Sequence, residues 1–238
     1  MVQTRSARKA EAEANPTKKK TTPKKLFKTG KKTADADEPA KPWTTGRDGL
    51  YPTVAVSDGF SAAAHAYASY RAYEAGAVQA AAGFALVVAA SLVGVLRFGY
   101  SEKFFAQANG DLADLAAYLG LPLVGFHFAS TWAAAAPFVP DAFSFAVFCS
   151  AVCSARRSAP EAADEVLKIL FNVGAFVVPV AGAAHAAEDK LTLAAIATFV
   201  IAAVPIGPDR HACLLGVRKE NIFHYLIGAA AIMFAEAF

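Results

Sequence analysis

Charged residues are scarce in this chain, and their scarcity excludes a single water-soluble globule. Asp, Glu, Lys and Arg make up 18% of the 238 residues, against 55% hydrophobic residues. Soluble domains usually carry about a quarter charged residues. The charge is also uneven, because residues 1–50 hold 13 of the 23 basic residues and only 6 of the 20 acidic ones. The sequence therefore divides into a basic polar segment, residues 1–50, and a strongly apolar body, residues 51–238.

Cysteines and known catalytic motifs are also lacking. Three cysteines imply no disulfide framework and are too few for a structural zinc site. The phosphate-binding patterns GxGxxG and GxxxxGK[ST] and the metalloprotease pattern HExxH do not occur. The last apolar segment has no lysine in its core for a retinal Schiff base, and spacing indicates no Ser-His-Asp set. An enzyme is therefore not the favoured class, and no catalytic residue is predicted.

The basic segment from Met1 to about Lys41 is predicted to be disordered. It shows no apolar periodicity, so it cannot bury enough surface to offset the entropy lost on ordering. Eight lysines fall within 15 positions: Lys18, Lys19, Lys20, Lys24, Lys25, Lys28, Lys31 and Lys32. Such a run suits anionic lipid headgroups, a nuclear-import or nucleic-acid patch, or an organellar transit peptide, although transit peptides avoid acidic residues such as Glu11 and Glu13. Thr21–Lys25 resembles the Thr-Pro-Lys-Lys element of histone tails, which implies a DNA-contacting segment.

Seven apolar segments of the body are candidates for membrane-crossing helices. A helix needs about 20 mainly apolar residues to cross roughly 30 Å of hydrocarbon. The predicted spans are Val54–Tyr73, Ala77–Phe98, Leu112–Ala136, Phe138–Ala155, Glu165–Ala186, Leu191–Ile206 and Leu214–Phe238. The predicted fold is all-α: a polytopic membrane helix bundle of about seven transmembrane helices, preceded by a disordered basic N-terminal tail.

Basic residues orient this bundle with its N-terminus in the cytoplasm. Alternate loops on one side hold Arg97, Lys103, Arg156, Arg157, Lys168, Arg210, Arg218 and Lys219. The other side holds only Arg71 and Lys190, so the first side is predicted to be cytoplasmic. His211 and His224 flank a basic turn on that side and are expected to contribute to membrane anchoring. The expected partners are the bilayer and its anionic headgroups. The expected location is an endomembrane, such as the endoplasmic reticulum or nuclear envelope, and the sequence does not indicate an oligomeric state.

An internal repeat would relate the first three spans to the next three. A shift of 83 residues aligns an Asp-x-Phe-Ser motif at Asp58 and Asp141, and places Pro122 on Pro205. Residues 54–136 and 138–206 would then form inverted repeats, as in many transporters, with a last helix at 214–238. Ten identities over residues 58–124 exceed chance only modestly in a chain so rich in alanine. Seven helices in this 3+3+1 order resemble the trimeric intracellular cation channels, but none of that family's sequence motifs is found and no residue role is carried over.

Polar groups inside predicted spans are expensive to bury and mark candidate functional residues. His65 lies midway along the first span, and His127 lies slightly past the middle of the third. The two imidazoles could relay protons or ligate a haem as a bis-histidine pair, or each could hydrogen-bond a neighbour. Asn172 is a further candidate for a polar core, and Pro122 and Pro179 are expected to free backbone carbonyls that can line a pathway. Apart from the haem alternative, no cofactor or metal is predicted.

Acidic residues at helix ends give two further expectations. His185, Glu188 and Asp189 form a candidate outer cation cluster at the end of the fifth span, although a solvated helix end explains them as well. Asp58 and Asp141 each precede an apolar run, so both are expected to cap helix N-termini.

Three classes of function remain open at this point. The first is a multi-pass membrane protein of unassigned activity that transports or conducts a small solute or ion between its two halves. The alternative is a membrane-embedded tether whose basic tail binds nucleic acid, chromatin or anionic lipid. The third, a membrane enzyme acting on lipids, has no support from the spacing of residues.

Overall fold

The computed structural model describes residues 50–156, 160–207 and 212–238, and these form seven helices. The helices are α1 Pro52–Glu74, α2 Val78–Gly99, α3 Glu102–Thr131, α4 Ala142–Arg156, α5 Glu161–Ala186, α6 Lys190–Ile206 and α7 Lys219–Ala237. A 3₁₀ turn, Ala136–Phe138, lies between α3 and α4. The prediction of an all-α chain with seven helices is confirmed for these residues. The lysine-rich tail, two of the counted basic-loop residues, Arg157 and Arg210, and the neighbouring His211 lie outside them.

Three of the seven helices are long and apolar enough to cross a bilayer. They are Val78–Gly99, Glu102–Thr131 and the segment Val166–Ala186 of α5. Two further helices, α4 and α6, are apolar but shorter. Large apolar side chains of α4 and α5 are exposed, including Phe143 and Leu170. A bilayer would cover such a surface, so these helices suggest membrane integration.

Each helix with an internal proline accommodates that proline with one wide turn. The π-helical turns are Ala116–Gly120 in α3, Val173–Val177 in α5 and Ala202–Ile206 in α6. Pro122 and Pro179 are each the second residue after such a turn, and Pro205 lies within one. Because proline has no N–H to donate and its ring crowds the preceding turn, a wider turn relieves the misfit without ending the helix.

The centre of the bundle is built from small residues that allow close helix approach. Ala64, Ala68 and Ala72 of α1 lie in one core cluster with alanines of α2 and α7. The large members of this core are Phe84, Phe176, Phe234, Val124, Val180 and Ile196. Without a hydrophobic driving force between helices in lipid, such close packing is what holds membrane helices together. One face of α1 is therefore interior, and this matters for the polar residues on that face.

Several predicted span boundaries differ from the structure, and two helix starts, those of α3 and α7, differ the most. The seventh span was expected to begin at Leu214, but strands β1 Cys213–Leu214 and β2 Val217–Arg218 form an antiparallel hairpin there, and α7 begins at Lys219. Leu215 and Gly216 between the strands both have positive φ, as a tight two-residue hairpin turn requires. α3 begins at Glu102 rather than at Leu112, because the Ser101 hydroxyl caps it by accepting the Phe104 N–H.

Candidate functional site

A row of polar side chains lies inside the bundle along one face of α1. Ser57, Ser61 and His65 are four residues apart, so they stack on successive turns, and Asp58 lies beside the first. All four side chains are buried. They meet polar groups from α2 and α7. We call the whole set the central polar cluster: Ser57, Asp58, Ser61, His65, Ser91, Asn221 and His224.

Asp58 is a buried carboxylate, and its Oδ1 atom contacts one charged or titratable side chain directly. It is 4% exposed, and Oδ1 lies 3.2 Å from Nδ1 of His224. Oδ2 has no hydrogen-bond partner and lies against the backbone of Gly94 in α2, where an added Cβ atom would overlap it. Arg97 and Glu220 act on this carboxylate electrostatically with opposite signs. The Asp58 carboxylate thus lies between the His224 imidazole and Gly94, a position at which any side chain would overlap the carboxylate.

His224 connects α7 to α1 through a single ring nitrogen. Its Nδ1 lies 3.2 Å from Ser57 Oγ as well as 3.2 Å from Asp58 Oδ1. The one proton of the Ser57 hydroxyl can go to the carbonyl of Val54 at 2.9 Å, or to Asn221 Oδ1 at 3.4 Å. Because the Ser57 proton then points to another acceptor, a proton in the contact between Asp58 Oδ1 and His224 Nδ1 must come from Asp58 or from His224. It can reside on either atom.

This Ser, His and Asp contact differs from a catalytic triad. In a triad the serine and the aspartate use opposite nitrogens of the imidazole ring. Here Ser57 and Asp58 both approach Nδ1 of His224. Ser57 is also fully buried, so its hydroxyl is not presented to a substrate. The geometry supports proton sharing and not nucleophilic attack.

His65 extends the polar row to the middle of α1. Its Nδ1 lies 2.8 Å from the carbonyl oxygen of Ser61. A carbonyl can only accept, so Nδ1 carries the hydrogen and Nε2 of the neutral ring keeps its lone pair. The Ser61 hydroxyl lies 3.3 Å from the same Nδ1 and 3.2 Å from the hydroxyl of Ser91. His65 is also close enough to act electrostatically on His224.

The structure separates the two histidines that the sequence singled out. Ring contacts run from His65 to Phe84 at 6.1 Å, from Phe84 to Phe238 at 6.3 Å, and from Phe238 to His127 at 5.7 Å. Phe128 and Phe234 pack with the same rings. We call Phe84, Phe128, Phe234 and Phe238 the aromatic barrier. Because phenyl rings lie between the imidazoles, His65 and His127 do not face each other across an open site for a haem.

The other candidates for a polar core have different partners. Asn172 donates from its amide to the Lys168 carbonyl, one turn back in α5, at 3.0 Å. Pro122 and Pro179 adjoin π-helical turns whose carbonyls pack against glycines of neighbouring helices. The contacts are the Gly120 carbonyl with Gly83 and the Ala175 carbonyl with Gly125. These carbonyls therefore lie in close helix crossings.

At the end of α5, the predicted outer cation cluster contains a helix cap. Oδ1 of Asp189 accepts the N–H groups of Leu191 and Thr192, at 3.0 and 3.1 Å, and so caps α6. Glu188, with a positive φ of 57°, forms the turn that follows His185. Within the described ranges, no group of three or more His, Cys, Asp or Glu side chains is placed to hold a metal ion.

The expectation of N-caps is confirmed at Asp141 and wrong at Asp58. Asp141 accepts the Ser144 hydroxyl at 2.6 Å and the Ser144 N–H at 2.9 Å ahead of α4. These hydrogen bonds lower the pKa of the exposed Asp141 carboxyl, since they favour its charged form. Asp58 is instead the seventh residue of α1, because the helix already begins at Pro52. Its carboxylate faces the core and not a helix end.

Arg156 organises a second group of charged side chains. Its guanidinium pairs with Asp114 of α3 and, at 2.7 Å, with Asp164 of α5. It also lies over the ring of Tyr118, 5.0 Å from the centroid, and the Tyr118 hydroxyl donates to Asp164 at 3.2 Å. We call these four residues the Arg156 cluster. It joins the end of α4 to α3 and α5.

The contact between Asp58 and His224 was not predicted from the sequence. One signal was available: residues 57, 58, 61 and 65 share a face of α1, and residues 221 and 224 share a face of α7. Two polar faces on helices predicted to lie in lipid need to meet each other.

Comparison with protein-family models, curated proteins and solved structures finds no match to this chain, so its function is argued from its own geometry.

Proposed function

We propose that this chain is a seven-span integral membrane protein that moves a small cation through the central polar cluster. The three long apolar helices support the membrane setting. α1 and α7 are less apolar, but their polar residues face each other and Ser91 in the interior. Such residues are tolerated in membrane helices when they face a bundle interior, and they commonly mark ion pathways. α4 and α6 complete the seven spans.

The arrangement of the cluster supports a path that enters from one side. Asn221 and Ser57 lie near the starts of α7 and α1, and His65 lies halfway along α1. With the N-terminus in the cytoplasm, as the loop charges predict, the polar row runs from the cytoplasmic ends of these helices to mid-membrane.

Beyond His65 the interior changes from polar to aromatic. Phe84 and Phe234 of the aromatic barrier are 2% exposed and lie 6.0 Å apart, and Phe84 contacts His65. A cation entering along the polar row would stop at this barrier until the rings move. The described conformation therefore suits a transporter or channel that is closed towards the opposite side.

The observation that carries the proposal is the buried contact between Asp58 Oδ1 and His224 Nδ1. Placing a charged carboxylate inside an apolar bundle costs several kcal/mol of free energy, because the ion loses its hydration. The pair is not needed to cap a helix, and its geometry is not that of a triad. Binding and releasing a cation is the role that uses a buried carboxylate with a titratable neighbour.

Reconstitution tests the proposal directly. The full chain is placed in liposomes containing mixed Na⁺ and K⁺ buffer, a membrane potential is imposed, and its decay is followed with a voltage-sensitive dye. The wild type should discharge the potential at least about ten times faster than Asp58→Asn, because the amide cannot carry the negative charge that attracts a cation.

Asp141→Asn is the matched control, because Asp141 is an exposed carboxyl and asparagine also caps helices. It should discharge the potential like the wild type. If Asp58→Asn discharges as fast as the wild type, or if the wild type does no better than empty liposomes, the proposed function is wrong.

A further inference from the structure

We infer that the ion moved is the proton, carried by the Asp58–His224 pair. This inference rests on the proposed function, since it names the ion that the central polar cluster transfers. The alternative within that function is a metal cation such as Na⁺ or K⁺, which would need an open, oxygen-lined site at the same carboxylate.

The packing around Asp58 favours the smallest possible cation. Oδ2, the oxygen without a hydrogen-bond partner, faces the Gly94 backbone so closely that a methyl group would not fit between them. Oδ1 is already in contact with the His224 ring at 3.2 Å. A metal ion in this position would need several oxygen ligands around it, whereas a proton needs only one lone pair and no cavity.

The transfer within the pair balances without any other reactant. When His224 is an imidazolium and Asp58 a carboxylate, the N–H bond at Nδ1 breaks and an O–H bond forms at Oδ1. The pair passes from two opposite charges to two neutral groups, and the total charge is unchanged. Because burial penalises charge, the neutral arrangement, with the proton on Oδ1 of Asp58, is the favoured one, and the charged arrangement is the step through which the proton passes to or from His224.

His65 is suited to take the proton onward. Its Nδ1 hydrogen is fixed on the Ser61 carbonyl at 2.8 Å, so Nε2 is the nitrogen that can accept a second proton. Ser57 and Ser61 lie on successive turns between the two imidazoles. Transfer across this turn requires rotation of an imidazole or a bridging water.

Several charged and titratable groups face this pair and will shape its pH dependence. Arg97 at the end of α2 and Glu220 at the start of α7 act on Asp58 with opposite signs. His65 on α1 acts on His224. Variants of Arg97 and Glu220 should therefore shift the pH dependence of proton movement, whereas variants of Asp58 should lose proton movement.

The test measures three ions in the same liposomes. A pH-sensitive dye inside reports protons, a sodium dye reports Na⁺, and a rubidium tracer reports K⁺-like ions, each under an imposed inside-negative potential. The wild type should acidify the lumen at least tenfold faster than Asp58→Asn, while Na⁺ and rubidium uptake should equal that of empty liposomes. Asp141→Asn should behave as the wild type.

The outcomes separate this inference from the proposed function. Uptake of Na⁺ or rubidium that depends on Asp58, without proton entry, overturns the proton assignment and leaves cation movement intact. If no ion moves in an Asp58-dependent way, both fail. Infrared spectroscopy of the wild type and Asp58→Asn across a pH titration gives a readout that does not need flux. A protonated-carboxyl band that titrates in the wild type and is lost in the variant supports the carrier role, and its absence from the wild type overturns it.

Discussion

Arg156 and Asp58 are both ionisable residues with little exposure between helices, yet their surroundings differ. Arg156 has two carboxylates and an aromatic ring around its guanidinium. Asp58 has an imidazole at one oxygen and a glycine backbone at the other. The first cluster keeps its central positive charge at any ordinary pH, because a guanidinium stays protonated. The second depends on an imidazole, which can gain or lose a proton.

The difference indicates which cluster is structural and which is functional. Neutralised ion pairs fix helices in place, and breaking them is costly. A buried carboxylate whose direct contact is an imidazole instead of a guanidinium adds little stability, so its retention in an apolar bundle points to chemistry. The Arg156 cluster joins three helices, whereas the central polar cluster lines α1. Four experiments test this contrast.

The largest effect is expected when the arginine is removed. Arg156→Met leaves Asp114 and Asp164, which are both partly buried, without their cation, which should destabilise the protein by about 3 kcal/mol, the lower end for a broken buried pair. Chemical unfolding in detergent would measure this. Lys103→Met, at an exposed position of α3, is the surface control and should change stability little. Adding Asp114→Asn and Asp164→Asn to Arg156→Met should recover much of the loss. A loss below about 1 kcal/mol would show that the cluster is not a structural anchor.

A smaller loss is expected from Gly94→Ala, which acts on the other cluster. The new methyl group would overlap the Asp58 carboxylate, so the helices must separate or the carboxylate must turn, at about 1–3 kcal/mol. Gly110→Ala is the matched control, because nothing lies within 4 Å of its Cβ position, and it should gain up to about 1 kcal/mol in helix propensity. Combining Gly94→Ala with Asp58→Ala should remove the overlap. If the double variant is as unstable as the sum of the two single variants, the predicted contact is wrong.

Asp58→Asn should change stability least among these variants, and in the opposite direction. The amide keeps the shape of the side chain but needs no counter-ion, so the free energy of unfolding should stay level or rise by about 1 kcal/mol. Asp164→Asn in the Arg156 cluster should instead destabilise. Unfolding curves of the two variants give the comparison. If Asp58→Asn destabilises as much as Asp164→Asn, then Asp58 is also a structural charge, and the contrast between the clusters is lost.

Helix positions could be predicted from the sequence because apolar runs separated by turn residues are strong local signals. The errors lie where hydropathy and local chemistry disagree. Leu214 belongs to an apolar stretch, but the Leu215–Gly216 turn makes a hairpin there. The prolines were recognised as irregular points, although hydropathy cannot show that the chain relieves them with π-helical turns.

The candidate site was predictable only in part, because its contacts join distant parts of the chain. His65 was singled out, since a histidine midway along a span is unusual. Asp58 was assigned to a helix end, because the sequence alone did not place the helix start at Pro52. His224 was assigned to membrane anchoring, because no local pattern shows that α7 packs its polar face on α1. The site depends on which helices pack against each other, and this could not be predicted from the positions of the helices in the sequence.

Deleting residues 1–45 is expected to have no effect on either cluster. Every residue of both clusters lies between positions 57 and 224, so ion movement and the free energy of unfolding should match those of the full chain. The isolated tail should instead bind vesicles containing anionic lipid, and added salt should weaken this binding because it screens the lysines. Vesicles of neutral lipid are the control. A tail deletion that abolished ion movement would place the function in the basic segment, and the contrast between Arg156 and Asp58 would then describe only how the helices are held.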